Sequence, residues 1–231
     1  MTKKKVSAII QVRTGSKRFP RKSLAKLGDS KIIEWVINRT KQSKFLDEVI
    51  LATSDLEEDK LFLKIAKEHS IKIFFGEKEN VLKRFLDTAK YFSTDVVVRI
   101  CADNPFISHS FIDELIKFFE KNNCDLAFNH QTRLNTKIVD GFGAEIFNKK
   151  ILEKIFNSTN EKAHLEHVTQ FIWDNHQKMN IKACPVKDIF MNSDLKFDVD
   201  YKEDLVKLNN FVLKHKINFK TLPENIVKCY E

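Results

Sequence analysis

Apolar residues follow two rhythms along this chain, and the rhythms alternate. Short β-branched runs at Val6 to Val12, Glu48 to Ala52, Ile71 to Phe75, Val96 to Cys101 and Asp125 to Phe128 read as strands. Between them, apolar positions recur at helical spacing over Lys31 to Gln42, Glu57 to His69, Glu79 to Phe92 and Ser108 to Asn122. In the first of these helices Ile32, Ile33, Val36 and Ile37 share one face. Strand alternating with helix predicts right-handed crossovers and a mostly parallel sheet covered on both sides, a doubly wound α/β architecture. The five glycines (15, 28, 76, 141 and 143) all fall between predicted elements, so they punctuate the pattern without interrupting it.

The second half is less regular. Residues 144–147, 181–186 and 195–199 read as strands, and 149–156, 161–175 and 201–215 as helices. No repeat, Pro/Ser linker or low-complexity tract divides the chain. One domain over 1–231 is expected, with an embedded acceptor-binding or dimerisation subregion, a lid, at about 130–190.

Composition narrows the class of protein. The 231 residues, 42% hydrophobic and 31% charged, suit a globular chain with a substantial core, and no stretch approaches the ~20 apolar residues of a membrane span. The apolar run after the basic start breaks at Gln11 and Arg13, unlike a signal peptide, so a cytoplasmic location is expected. Cys101, Cys124, Cys184 and Cys229 are widely spaced and read as reduced thiols, not zinc ligands. The net charge of +8 is spread among 32 interleaved acidic residues, which fits small polyanions better than a nucleic acid duplex.

Ligands of open α/β sheets bind beyond the carboxyl ends of the strands, and three places there carry chemistry. After the first strand, Gln11 to Lys22 holds Gly15, Ser16 and the cations Arg13, Lys17, Arg18, Arg21 and Lys22. Glycine allows close backbone approach, and the cations can meet phosphate oxygens through charge-assisted hydrogen bonds. After the fourth strand come Asp103, Asn104 and Pro105; far downstream, Asp198 and Asp200 stand at i and i+2. Alone, each aspartate reads as a cap or turn former. With the basic loop, Asp103 and Asp200 suggest a Mg²⁺ nucleotide site, because Mg²⁺ takes one or two carboxylates plus phosphates and water. Neither G-x-x-x-x-G-K-[ST] nor G-x-G-x-x-G is present, which argues against P-loop and dinucleotide-dependent chemistry.

These residues, from Gln11-Val12-Arg13-Thr14-Gly15-Ser16-Lys17-Arg18-Phe19-Pro20-Arg21-Lys22 onward, resemble the cytidylyltransferases that make CMP-sugars, such as the CMP-sialic acid and CMP-Kdo synthetases, most closely their spore-coat polysaccharide branch. The likeness continues through Ala52 to Asp55, Asn80 to Phe85, Val98 to Pro105, Glu166 to Thr169 and Val199 to Leu205. It implies a nucleotide-diphospho-sugar transferase-like, Rossmann-type fold. It implies that Arg13, Gly15, Ser16, Arg18 and Lys22 bind the triphosphate of CTP, that Ser54, Asp55 and Arg84 lie near the base and ribose, and that Asp103, beside Asn104, and Asp200 hold Mg²⁺. Arg13, Lys22, Asp103 and Asp200 are the expected catalytic set.

The expected reaction moves CMP from CTP to the hydroxyl of an acidic sugar of ulosonic or nonulosonic type, releasing pyrophosphate for surface glycan biosynthesis. A sugar or polyol phosphate acceptor, giving an NDP product, is the nearest enzymatic alternative. A nucleotide or anion sensor is the non-enzymatic one. Arg21 stands where this branch often has glycine, Gln170 where it often has proline, and Gly143-Ala144-Glu145 where a more acidic triplet is common. Glu145, His164 and His167 are candidate acceptor contacts, and a homodimer is expected.

Overall fold

The computed structural model describes residues 3–230. In chain order the elements are β1 (Val6–Gln11), β2 (Lys26–Leu27), β3 (Ser30–Lys31), α1 (Ile32–Thr40), β4 (Glu48–Ser54), α2 (Phe62–Glu68), β5 (Lys72–Gly76), α3 (Val81–Tyr91), β6 (Val96–Cys101) and α4 (His109–Lys121). There follow β7 (Leu126–Phe128), β8 (Glu145–Asn148), α5 (Lys149–Phe156), α6 (Lys162–Glu166), α7 (Gln170–Asp174), β9 (Ile181–Ala183), α8 (Lys202–His215) and α9 (Pro223–Lys228).

Seven strands form one sheet in the order β5-β4-β1-β6-β8-β7-β9. Every pairing is parallel except the two made by β8, which runs against β6 and β7. The succession steps outward from β1 through β4 to β5, then returns to place β6 on the other side of β1. The crevice between the carboxyl ends of β1 and β6 is therefore the topological switch point, where this architecture binds ligands.

Alternation along the strands divides the core between the two faces. Ala8, Ile10, Leu51, Val98 and Ile100 pack under α1, α2 and α4, while Ile9, Ile50, Ala52 and Val97 pack under α3 and α5. A third, aromatic cluster joins Phe19 of the basic loop and Trp35 of α1 to Phe106, Phe142, Phe190, Phe197 and the C-terminal helices. It fastens the distal part of the chain to the mouth of the sheet. Arg39, 1% exposed, strengthens this attachment by donating to the carbonyls of Ile107, Phe219 and Thr221.

The strands of the first half lie where the apolar pattern puts them, and the doubly wound, mostly parallel architecture is the one found. Three expectations are corrected, two of them in the second half. Residues 195–199 form no strand; Asp140 and Lys196 make only an isolated bridge, because the segment runs along the sheet's mouth and spends its backbone on the Asp140 and Asp103 turns. The continuous helix over 161–175 is two short ones, α6 and α7, broken at His167, whose backbone is extended at ψ 98°. Glu57 to His69 is a 3-10 turn at Glu57–Asp59 followed by α2. Residues 130–190 contribute β8 and β9 to the main sheet.

Candidate active site

The loop after β1 folds on itself. The backbone N–H groups of Ser16 and Arg21 both donate to the Thr14 carbonyl, at 2.9 and 2.8 Å, and the Phe19 N–H donates to Ser16 Oγ at 3.3 Å. Phe19 inserts into the aromatic cluster and leaves Lys17, Arg18 and Arg21 outside. The left-handed residue of this turn is Arg21, at φ 58°, the position where glycine is common in the resembling branch. At Gly15 an added Cβ would meet nothing closer than Glu58 Oε1 at 3.9 Å, so this glycine leaves open space beside the chain.

The start of the loop is buttressed by Asp59, 1% exposed. One of its carboxylate oxygens accepts the Thr14 N–H at 2.8 Å, and the other accepts the Ser54 hydroxyl. Asp59 thereby couples the ends of β1 and β4. Ser54 is buried in that bond, whereas Asp55 beside it is exposed and spends its N–H on the Gly76 carbonyl.

At the end of β6, Asp103 meets the distal chain. The Val199 N–H donates to the Asp103 carbonyl at 2.9 Å, which fixes Asp200 next to the β6 turn although the two aspartates are 97 residues apart in sequence. Lys22 Nζ lies between them, 2.6 Å from Asp103 Oδ2, 3.2 Å from Asp200 Oδ1 and 3.0 Å from the Val199 carbonyl. Arg18 adds a 2.6 Å bond to the same Asp200 oxygen, and its guanidinium stands over the Tyr201 ring at 5.3 Å. Lys196 approaches from the other side, 3.6 Å from Asp200 Oδ2 and 3.2 Å from Asp198.

Electrostatics follow from this packing. Burial opposes the charge on Lys22, but Asp103 and Asp200 outweigh it and raise its pKa. Burial likewise opposes ionisation of Asp200, and Lys22, Arg18 and Lys196 outweigh it, lowering the carboxyl below its usual range. Asp198 is different: burial and the neighbouring Asp140 charge push it up to about 6 in spite of Lys196.

A second cationic centre stands toward α3. Arg84 is fully buried, donates through one nitrogen to the Glu77 carbonyl at 2.7 Å, and has Nε and Nη2 buried without partners. Burial first, and the nearby Arg13 cation second, lower its pKa to about 10. Arg13 itself holds only a long contact, 3.4 Å, with Glu166 at the end of α6. Two guanidinium groups with this much unused donor capacity suit an anionic or carbonyl-rich ligand.

The remaining candidates separate. Asn104 is buried in the turn after β6. Glu145, 1% exposed, is fully engaged: one oxygen accepts from Trp173 at 3.0 Å, the other from Arg99 at 2.8 Å and Thr169 at 2.9 Å. Burial opposes its charge, yet Arg99 holds its carboxyl far below the ordinary range. His164 is buried between Thr159 and Asp174, 2.9 Å from each, against the Phe171 ring. His167 is exposed beside Glu166. Sequence reasoning assigned no role to Asp59, Lys196 and His130; the first two lie in segments read as a helix and a strand.

The donor set fits Mg²⁺ in one respect that the geometry supplies: a compact cation, the Lys22 ammonium, already bridges the carboxylates of Asp103 and Asp200. Among the described residues no group of three or more His, Cys, Asp or Glu is arranged to hold a metal. No helix among the described residues is long and apolar enough to cross a membrane.

A mostly parallel sheet thus gathers a basic loop and two aspartates at its switch point. The chain belongs to the cytidylyltransferase family, whose model matches residues 7–222. It is 28% identical over 201 residues to the spore coat polysaccharide biosynthesis protein SpsF of Bacillus subtilis, covering 85% of this chain and 81% of that one. A cytidylyltransferase from Leptospira borgpetersenii superposes with a TM-score of 0.86 at 26% identity, over 99% of this chain and 93% of that one. The fold is shared with a CMP:2-keto-3-deoxy-manno-octonic acid synthetase complexed with CTP, at a TM-score of 0.69 and 16% identity, over 91% and 99% of the two chains.

Proposed function

We propose that this cytidylyltransferase moves CMP from CTP to the hydroxyl of an acidic sugar, with Mg²⁺, releasing pyrophosphate for surface polysaccharide biosynthesis. The observation that carries the reading is the joining of Asp103 and Asp200 through Lys22 at the switch point, directly after the basic loop. An acceptor hydroxyl attacks the α-phosphorus in line, so the protein's work is to position the reactants and neutralise charge. In this reading Arg13, Ser16, Arg18 and Lys22 hold the phosphates, while Gly15 leaves room for them. Asp55 and the free edge of Arg84 face the nucleoside, Ser54 supports that side from its buried bond to Asp59, and Asn104 shapes the turn that carries Asp103.

Asp103 and Asp200 would hold Mg²⁺, which supplies charge neutralisation on the phosphates when bound. Lys22 and Arg18, now spent on those carboxylates, are then free to turn to phosphate oxygens. Glu145 and His164, both buried and engaged, support the acceptor side by fixing Arg99, Trp173 and α6–α7. His167 lies at that side's surface. A homodimer is part of the proposal, as are acceptor-binding and dimerisation roles for residues 130–190, which sedimentation of wild-type protein tests for the dimer.

The reading is tested by a pyrophosphate-release screen of four nucleotides against 3-deoxy-ulosonic acids, nonulosonic acids and sugar phosphates, with Mg²⁺ or with chelator. Release with CTP and an acidic sugar, abolished by chelator, is expected. Turnover only with sugar phosphates would transfer the assignment to an NDP-forming enzyme, and no turnover with any pair would remove it.

A further inference from the structure

Beside the aspartate pair, on the side away from the basic loop, a group of buried polar atoms stands without partners. His130 follows β7, is 7% exposed, and has no hydrogen bond at either ring nitrogen. Nδ1 is 3.8 Å from Asp140 Oδ1 and Nε2 is 3.9 Å from Glu145 Oε1, both too long for a direct bond. Asp140 Oδ1 and Asp198 Oδ1 are buried and unpartnered as well.

These groups are neighbours by construction. The Asp140 N–H donates to the Leu195 carbonyl and the Phe197 N–H to the Asp140 carbonyl, at 3.1 and 3.2 Å, which sets Asp198 next to Asp140. Lys196 then links Asp198 to Asp200. A continuous polar wall thus runs from the site already described to His130. The carboxylates form its rim, with 17% and 13% of the Asp140 and Asp198 side chains exposed, and the imidazole forms its floor.

Buried polar atoms in native proteins are nearly all paired, and such a concentration of unpaired ones points to a ligand. The chemistry of the wall selects it. Ionised carboxylates only accept hydrogen bonds, so the free oxygens of Asp140 and Asp198 ask for donors. A ligand carboxylate finds no donor in the Asp140 and Asp198 oxygens, whereas groups bearing O–H are welcome.

We propose that His130, Asp140 and Asp198 read the hydroxyl groups of the acceptor: its polyhydroxylated portion donates to the free Asp140 and Asp198 oxygens and shares a hydrogen bond with His130. The acceptor's own carboxylate lies outside this wall. The inference rests on the cytidylyltransferase reading above and assigns the part of the acceptor that confers specificity.

The test uses the full chain with CTP, Mg²⁺ and two probes, 3-deoxy-octulosonate and N-acetylneuraminate. Asp140→Asn and His130→Gln are expected to raise the KM of the accepted sugar about tenfold or more, because a site built around hydroxyl groups is sensitive to losing one partner. KM for CTP stays unchanged. Saturation-transfer NMR with wild type should place the strongest signal on the protons of the hydroxyl-bearing carbons, and Asp140→Asn should weaken it. Asp198→Asn, which removes a buried charge and should fold at least as well as wild type, keeps the test open if either other variant fails to fold. Unchanged acceptor KM in the folded variants, or an equal rise in KM for CTP, overturns the proposal while leaving the enzyme assignment intact. Wild-type protein that neither turns over nor binds either sugar overturns both.

Discussion

Asp198 gives the most quantitative expectation. Its carboxyl titrates near 6 in the folded protein against an ordinary 3.8, a difference of about 2 pH units caused by burial and by Asp140. At 1.36 kcal/mol per unit, holding Asp198 ionised costs the fold about 3 kcal/mol at neutral pH. The sign is fixed by linkage. The raised folded pKa means that the folded state binds this proton more tightly, so the contribution of Asp198 to stability is most favourable below about pH 4 and is lost as pH rises through 6. That cost is already net of the attraction to half-exposed Lys196, which Asp198→Asn also removes. The variant should therefore be about 3 kcal/mol more stable than wild type at pH 7.5 and no more stable at pH 3.5. Urea denaturation in chelator at the two pH values measures this directly. A variant no more stable than wild type at pH 7.5, or equally stabilised at both, would refute the reasoning.

Other expectations follow from the same contacts. Lys22→Ala removes the cation between Asp103 and Asp200 and should cost about 2–4 kcal/mol of transition-state stabilisation, read as kcat/KM for CTP; unchanged kinetics would remove Lys22 from the site. Gly143→Ala places a Cβ 2.2 Å from the Asn129 carbonyl oxygen and 2.6 Å from its carbon, so backbone must move; a loss of about 1–3 kcal/mol in denaturant unfolding is expected. Burial pushes the Cys101 thiol up to about 11 and Cys184 up to about 12. At pH 8 neither should be alkylated by iodoacetamide in the native protein, and both should be in urea, as mass spectrometry will show.

The first half of the chain was legible because each of its elements buries one continuous apolar face. β1, β4 and β6 are flanked by strands and covered by helices, so their Val and Ile runs could be nothing else. The second half carries its structure in long-range polar contacts that periodicity does not record. Leu195 to Val199 alternates like a strand, yet its N–H and C=O groups go to Asp140 and Asp103 instead of to a ladder. His167 interrupts a helical pattern because the chain turns there to bring Glu166 toward Arg13.

The aspartates were visible as a motif, but only the fold shows that one lysine spans them. Glu145 was a candidate acceptor contact in the sequence, and Arg99, Thr169 and Trp173, distant along the chain, all donate to its carboxylate in the fold. His130 gave no signal at all. A histidine after a strand has no distinctive spacing, and its importance comes from what fails to meet it.

The central claim, cytidylyl transfer at the Asp103–Asp200 pair, is tested most directly by phosphorus NMR of CTP, Mg²⁺ and an accepted ulosonic acid with wild type and with Asp103→Ala. Wild type should convert the triphosphate signals into pyrophosphate and a single phosphodiester resonance, while folded Asp103→Ala should be slower by orders of magnitude. A coupled pair of diphosphate signals, or turnover unaffected by the substitution, would contradict it.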